Sequence, residues 1–309
     1  MATYNQLIHK YKQDLKQKGL SPETAKAFIF ELCNDYNINL YLQMDNEALP
    51  EIENKFIDGI KRILNDEPMN YVLGYSYFYG YKFVVNKDVL IPRPETEELV
   101  CLILQKYDEY YKNKKINLCD VGTGSGAIAI ALKKEEDNLN VYASDISKEA
   151  LKVASDNAVK NDADVKFMCG SMLDPYIENN IKVDILVSNP PYIKADETLE
   201  SSVVDYEPHV ALFGGDDGLK FYRIIFENAH KILNEKGMLF FEIGYDQKQN
   251  LTDLANQYFK NAHIEVIKDI NNKDRMLYIK LLWFHSVFTY KCYKYIVGVI
   301  IFSLKNFQK

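Results

Sequence analysis

The stretch Asp184-Ile185-Leu186-Val187-Ser188-Asn189-Pro190-Pro191-Tyr192 is an apolar run that ends in a stiff turn rich in hydrogen-bond acceptors. Two consecutive prolines donate no backbone hydrogen bond and restrict the chain. Toward a ligand this leaves the Asn189 side-chain oxygen and the Pro190 carbonyl. Two fixed acceptors suit a planar NH2 group, whose N–H bonds diverge by about 120°. Tyr192 can stack on the plane of the same group. An amide or aromatic amine nitrogen shares its lone pair with a π system and is a poor nucleophile. Holding both N–H bonds lets it move toward tetrahedral shape with the lone pair aimed at an electrophile, while the acceptors stabilise the positive charge that develops. Alkylation makes the nitrogen acidic, so no strong base is needed. On this reading Asn189, Pro190 and Tyr192 carry the chemistry, and Pro191 joins them in holding the substrate. The plain alternative is a rigid turn after a strand.

A second constellation lies upstream. Asp120-Val121-Gly122-Thr123-Gly124-Ser125-Gly126 follows an apolar segment and precedes a helical one. Glycines there let a ligand lie against the backbone without meeting Cβ atoms. Gly122, Gly124 and Ala127 also satisfy a loose dinucleotide fingerprint. Asp145 ends the next apolar segment, at the distance where a carboxylate accepts from a ribose diol. It could instead cap the helix that starts near Ser147. These features fit either NAD or S-adenosyl-L-methionine. Further on, Ser171 could touch an adenine edge and Met172 could cover its face, or Met172 could be plain core filling. The clamp separates the two cofactors: hydride transfer has no use for two acceptors around an NH2 group, whereas methyl transfer from S-adenosyl-L-methionine does. The cofactor-binding set is then Gly122, Thr123, Gly124, Ser125, Gly126, Asp145, Met172 and Asn189.

The elements that must position these residues alternate. Strands are predicted at Asn117–Asp120, Asn140–Asp145, Asp164–Met168, Val183–Ser188, Gly237–Glu242, Ile264–Lys268 and Leu277–Leu281. Helices are predicted at Ala127–Lys134, Lys148–Asn161, Gly218–Leu233 and Gln247–Tyr258. The pattern predicts an α/β fold, a doubly wound Rossmann-like seven-stranded sheet, with ligands outside the carboxyl ends of the strands. Residues 4–66 read as helices, because Tyr4, Leu7, Ile8, Tyr11 and Leu15 share a helical face, as do Phe28, Leu32 and Tyr36. Ser21-Pro22-Glu23 reads as a helix start. A third helix is expected from about Asn46, with Ile52, Phe56, Ile60 and Leu64 on one side and Pro68 ending it. The aromatic stretch Tyr71–Val85 reads as a hairpin, and Pro92-Arg93-Pro94 leads into a helix through about Tyr110. The expected division is a helical substrate-recognition domain at 1–70, a β-hairpin linker at 71–95, a methyltransferase domain at 96–282 and an apolar extension at 283–309.

The chain has 309 residues, 47% hydrophobic and 26% charged, a net charge of -7 and a pI of about 5.4. Such an acidic balance disfavours non-specific binding to phosphate backbones, so no direct nucleic-acid partner is expected. The five cysteines (Cys33, Cys101, Cys119, Cys169 and Cys292) show no C-x-x-C spacing, and the histidines form no H-E-x-x-H pattern. Neither a disulfide framework nor a metal site is expected. The N-terminus has no basic region followed by an apolar run, and the clean apolar stretch Tyr295–Phe302 is far shorter than the roughly 20 residues of a membrane helix. The expectation is a cytoplasmic monomer without membrane contact, its tail an additional docked element or a loosely held segment.

Taken together, these motifs resemble the Class I methyltransferases that act on planar nitrogens and, more narrowly, the release factor glutamine methyltransferases (the PrmC/HemK family). The matching stretches run from about residue 68 to 280. They comprise Tyr71–Gly74, Leu90–Val100, Asp120–Gly126, Asn189–Tyr192, Glu207-Pro208, Ala211-Leu212, Gly214–Leu219, Tyr222-Arg223, Glu242-Ile243-Gly244 and Arg275-Met276. The resemblance implies the glutamine of the Gly-Gly-Gln motif of peptide-chain release factors as substrate, and places Pro92–Glu97 in the wall around the cofactor. In the family an aromatic often stands where this chain has Met172. Two neighbouring activities share the motifs: a ribosomal-protein glutamine methyltransferase, and a DNA adenine methyltransferase, which needs base flipping and a basic DNA-binding surface. A cofactor-binding scaffold without activity would more often have lost the glycine loop or the clamp.

Overall fold

The computed structural model describes residues 2–198 and 201–282. The expectations for the segment 283–309 lie outside the described residues.

The chain opens with a small helical bundle. In α1 (Tyr4–Gln17) the Thr3 hydroxyl accepts from the Gln6 N–H while the Gln6 side chain accepts from the Thr3 N–H, a reciprocal cap. The predicted face Tyr4, Leu7, Ile8, Tyr11, Leu15 is buried. Helix α2 (Thr24–Asp35) starts later than the Ser-Pro signal predicts: Ser21 accepts from the Glu23 N–H and so closes a lead-in turn instead of the helix proper. A short α3 (Leu40–Gln43), capped by Asn39, has too few residues to show a period. Helix α4 (Pro50–Leu64) begins at Pro50 and not near Asn46, because a proline fits the first turn, where its missing N–H costs nothing. Asn65 ends α4; Pro68 instead leads into α5 (Met69–Leu73), a turn of helix in the stretch expected to open the hairpin. Phe28, Ile29, Ile52, Phe56 and Ile60 form a core of their own for this bundle.

Strands β1 (Tyr75–Phe78) and β2 (Tyr81–Val84) pair antiparallel across Tyr79-Gly80. Then follow α6 (Pro94–Tyr110), β3 (Ile116–Val121), α7 (Ala127–Glu135), β4 (Leu139–Asp145), α8 (Lys148–Lys160), β5 (Val165–Cys169), α9 (Asp174–Glu178), β6 (Val183–Ser188), α10 (Ser201–Val204), α11 (Lys220–Asn228), β7 (Leu233–Glu242), α12 (Lys248–Tyr258), β8 (Ala262–Lys268) and β9 (Asp274–Leu281). Helix α11 is shorter than its period suggests: a 3-10 turn at Ala229–Lys231 breaks it, and Leu233, the first residue of β7, already pairs with Val183 of β6.

Seven strands form one sheet in the order β5-β4-β3-β6-β7-β9-β8, parallel except that β9 runs antiparallel to both its neighbours. Successive side chains of a strand face opposite ways. Ile185 and Val187 therefore enter one core with α6 and α7, while Leu186 enters the other with α11 and α12. Burial on both faces explains the apolar stretch Ile185–Val187 within β6. Phe78 and Phe83 of the hairpin sit in the core shared with α6 and α7, so the hairpin is fastened to the sheet domain and is no loose linker. Asn157 of α8, fully buried, accepts from the Val84 N–H at 2.7 Å and donates to the carbonyls of Val84 (3.0 Å) and Ser125 (2.9 Å). No described helix is long and apolar enough to cross a membrane.

Candidate active site

The chain leaves β3 toward β4 on one side, while β6 lies on the other. This reversal opens a crevice at the carboxyl ends of the strands, where such sheets bind ligands. The glycine loop follows β3, Asp145 ends β4, Met172 follows β5 and Asn189 follows β6. Two cavities occupy the crevice. The larger, about 350 Å³, is lined by Gly122, Gly124, Asp145, Met172 and Asn189, among others. The smaller, about 210 Å³, is lined by Asn189, Pro190, Pro191, Tyr192, Arg93 and Glu242, among others. Asn189 and Pro191 belong to both, so the two spaces meet at the clamp.

Gly122 and Gly124 have φ of +75° and +56°, and a Cβ on either would face open space. In that left-handed region a side chain is strained, so the loop keeps its backbone bare toward the cavity. The other residues of the loop stand behind it. The Thr123 hydroxyl donates to Asp120 at 2.6 Å, the Ser125 carbonyl accepts from Asn157, and Gly126 packs against Ala154 and Ile130. Thr123 and Ser125 are buried behind the loop.

Asp145 accepts from the Gly124 N–H at 2.9 Å with one oxygen and from the Ser147 N–H at 2.9 Å with the other. The helix cap is Ser147, whose hydroxyl accepts from the Ala150 N–H, so α8 does not need Asp145 as its cap. A carboxylate has about four acceptor sites, so Asp145 keeps capacity toward the cavity. Burial pushes its carboxyl up, and the backbone N–H groups of Ser147 and Gly124 pull it back. Met172 lines the cavity and also packs on the core beneath it. Of the stretch 90–99, Leu90 reaches this cavity, together with Asp88 and Val89 just before it. Arg93 lies on the clamp side, because Pro92 and Pro94 carry the chain away into α6.

At the clamp, the Asn189 side chain donates from Nδ2 to the Thr96 hydroxyl at 3.3 Å. Its Oδ1 and the Pro190 carbonyl have no partner among the described residues. Asn189 and Pro190 both line the smaller cavity, and neither of these two acceptors is engaged by another described residue. Tyr192 is anchored at both ends: its hydroxyl donates to Glu242 at 3.2 Å and its carbonyl accepts from Gln247 at 3.1 Å. Burial beside the Glu242 carboxylate raises the phenol. The following loop is held by Glu207, nearly inaccessible, which pairs with Arg93 and accepts from the Ile91 N–H at 3.3 Å. Residue spacing assigns no role to Gln247, and it gives no individual role to Thr96, Glu207 or Glu242, which enter only as parts of the stretches that carry the family resemblance. The available signal is a glutamate closing the apolar strand Met238–Phe241, a place where an ionisable group needs a reason to be buried.

Comparison with known proteins accords with this geometry. The methyltransferase small domain family matches residues 101–205. A release factor glutamine methyltransferase of Bacillus cereus is 40% identical over 286 residues, covering 91% of this chain and all of that protein. The Bacillus subtilis enzyme of the same name is 48% identical over 213 residues, 68% of this chain and 74% of its own. Among solved structures, the catalytic domain of hMettl16 in complex with the MAT2A 3'UTR hairpin 6 shares the fold at 14% identity, with a TM-score of 0.50 over 67% of this chain and 77% of that one. With 40% identity over the whole length of the Bacillus cereus protein, this chain belongs to the release factor glutamine methyltransferase family.

Proposed function

We propose that the chain transfers a methyl group from S-adenosyl-L-methionine to the side-chain amide nitrogen of the glutamine in the Gly-Gly-Gln motif of peptide-chain release factors. The observation that carries this reading is the position of Asn189 on the wall common to the two cavities, with its Oδ1 unengaged by any described residue and Pro190 lining the same clamp cavity. The larger cavity fits a nucleoside cofactor: its volume lies in the range of small-molecule sites, its glycine backbone is bare, and Asp145 offers an acceptor for a ribose. Gly122, Gly124, Asp145, Met172 and Asn189 are the contacts we assign to it, with Thr123, Ser125 and Gly126 shaping the loop.

When bound, the cofactor supplies an electrophilic methyl on a sulfonium. Asn189 Oδ1 and the Pro190 carbonyl each accept one N–H of the glutamine amide, and Pro191 and Tyr192 wall its plane. The amide nitrogen would take on positive charge as it accepts the methyl, and the Asn189 Oδ1 and Pro190 carbonyl acceptors would stabilise that charge. The surplus proton passes to water. The helical bundle is assigned to substrate recognition, the protein to the cytoplasm and the working state to a monomer.

The test is mass spectrometry of purified release factor incubated with the enzyme and S-adenosyl-L-methionine, with a factor carrying alanine at the Gly-Gly-Gln glutamine as control. One methyl on that glutamine, absent from the control, is expected. An unmodified factor, with cofactor still bound, would redirect the search to ribosomal protein and then to DNA adenine. Asn189→Ala should cut turnover by on the order of a hundredfold while cofactor affinity stays within about tenfold; normal turnover would sink the clamp.

A further inference from the structure

We propose that Glu242 is a positioning residue that fixes the donor–acceptor polarity of the clamp, acting on Asn189 through Thr96 and directly on Tyr192. The proposal rests on the Asn189 clamp assigned above and adds what orients it.

Glu242 ends β7 and is almost wholly buried, yet it lines the clamp cavity. One carboxylate oxygen accepts from the Thr96 hydroxyl at 2.6 Å, and the other accepts from the Tyr192 hydroxyl at 3.2 Å. An ionised carboxylate accepts only, and a hydroxyl has a single proton. Thr96 therefore gives its proton to Glu242 and faces Asn189 as an acceptor. The Asn189 group 3.3 Å from it must then be the NH2, and the amide cannot reverse without placing two acceptors face to face. With Nδ2 held inward, Oδ1 points outward, the polarity that an incoming NH2 group requires. A reversed amide would set donor against donor at the reacting nitrogen.

The arrangement is braced around the carboxylate. Tyr222 donates to the Glu242 carbonyl at 2.6 Å. Burial pushes the Glu242 carboxyl above its ordinary value, opposed by the Thr96 hydroxyl, the Arg275 charge and the Tyr192 hydroxyl; the direction of the relay rests on the two hydroxyls that donate to the carboxylate. The three elements that meet at this carboxylate, α6, the β6 turn and the β7 end, lie far apart in sequence. Glutamate is the residue that can accept from two hydroxyls at once; with glutamine, one arm must face an NH2.

The experiment compares Glu242→Gln, Thr96→Val, Thr96→Ser and Asn189→Ala in steady-state kinetics on intact release factor, with cofactor affinity measured by calorimetry. For Glu242→Gln and Thr96→Val, kcat is expected to fall by roughly tenfold to a hundredfold, as for small misplacements of reacting groups. Cofactor Kd and release-factor KM should stay within about threefold, and Thr96→Ser should recover most of kcat because it keeps the hydroxyl. The Glu242→Gln/Thr96→Val double variant should lose less than the product of the single losses, since both interrupt one relay. Wild-type kcat in both Glu242→Gln and Thr96→Val, with Asn189→Ala inactive, overturns the relay and leaves the clamp standing. Equal losses for Thr96→Ser and Thr96→Val also overturn it, because packing and not the hydroxyl would then matter. Full activity in Asn189→Ala overturns the clamp and this proposal with it. If Glu242→Gln no longer binds cofactor through misfolding, the Thr96→Val and Thr96→Ser pair decides alone.

Discussion

Replacing Asn157 with alanine should destabilise the sheet domain and loosen the cofactor loop together. Asn157 makes three hydrogen bonds, two with the backbone of Val84 and one with the Ser125 carbonyl. At about 1 kcal/mol net for each, the loss is about 3 kcal/mol, rising toward 5 if the freed buried groups find no water. For a domain of this size each kcal/mol lowers Tm by about 2–4 °C, so a drop on the order of 6–12 °C is expected. Urea unfolding followed by circular dichroism measures the global term. Hydrogen exchange reads the local one: the Val84 amide, bonded to the side chain that is removed, should lose protection well beyond the global change. Because the Ser125 carbonyl is held by the same side chain, cofactor affinity should fall severalfold. A loss under about 1 kcal/mol would refute the view that this side chain fastens hairpin, helix and loop.

Burial pushes the Asp120 carboxyl up to about 7, with Thr123 opposing. Between the unfolded value near 4 and this folded value the native state holds a proton the unfolded chain has released. This contribution to stability is complete below about pH 4 and is lost as pH rises through 7, by at most about 1.4 kcal/mol per unit. Urea titrations at several pH values should show that slope in the wild type and a flatter one in Asp120→Asn; identical slopes would remove Asp120 as its source. Gly59→Ala would set a Cβ 2.3 Å from Phe28 Cζ and 2.9 Å from Val72 Cγ1, between α4, α2 and α5. Overpacking of this kind should cost the helical bundle about 1–3 kcal/mol by calorimetry, and an unchanged transition would mean that Phe28 yields freely. Deleting residues 1–66 removes the separate bundle core and the Asn65 carbonyl that accepts from Tyr206. The remainder should still bind cofactor but methylate intact release factor at least severalfold more slowly, and undiminished methylation would rule out a recognition role.

The glycine loop and the Asn-Pro-Pro-Tyr turn are legible in the amino-acid sequence because each is one contiguous stretch whose residue types are costly elsewhere. The strands of the sheet are legible for a related reason: two-sided burial leaves mainly apolar stretches in β3 and at Ile185–Val187 of β6. What escapes such a reading is what depends on distant partners. Thr96 and Glu242 are 146 positions apart and meet only when α6 docks beside β7. Asn157 reads as a solvent-facing polar residue until the hairpin brings Val84 against it. Helix ends depart from the local signal where it meets a stronger neighbour: Ser21 spends its oxygen on a turn, Pro50 takes the first helical position, and the period of α11 runs on into residues that pair with β6.

The place of β9 between β7 and β8 sets a constraint on how the chain folds. The helical bundle is built from near neighbours in sequence and can condense early, since local contacts form fastest. The sheet cannot complete in chain order. Strand β8 has no seat beside β7, and both wait for Asp274–Leu281 to enter between them. Until then the β7 edge, with Phe240 and Phe241 on its two faces, is an unpaired template for another chain. An intermediate stalled before residue 274 would leave this edge open to another chain, and the strand that carries Glu242 into place completes its pairing only when β9 arrives.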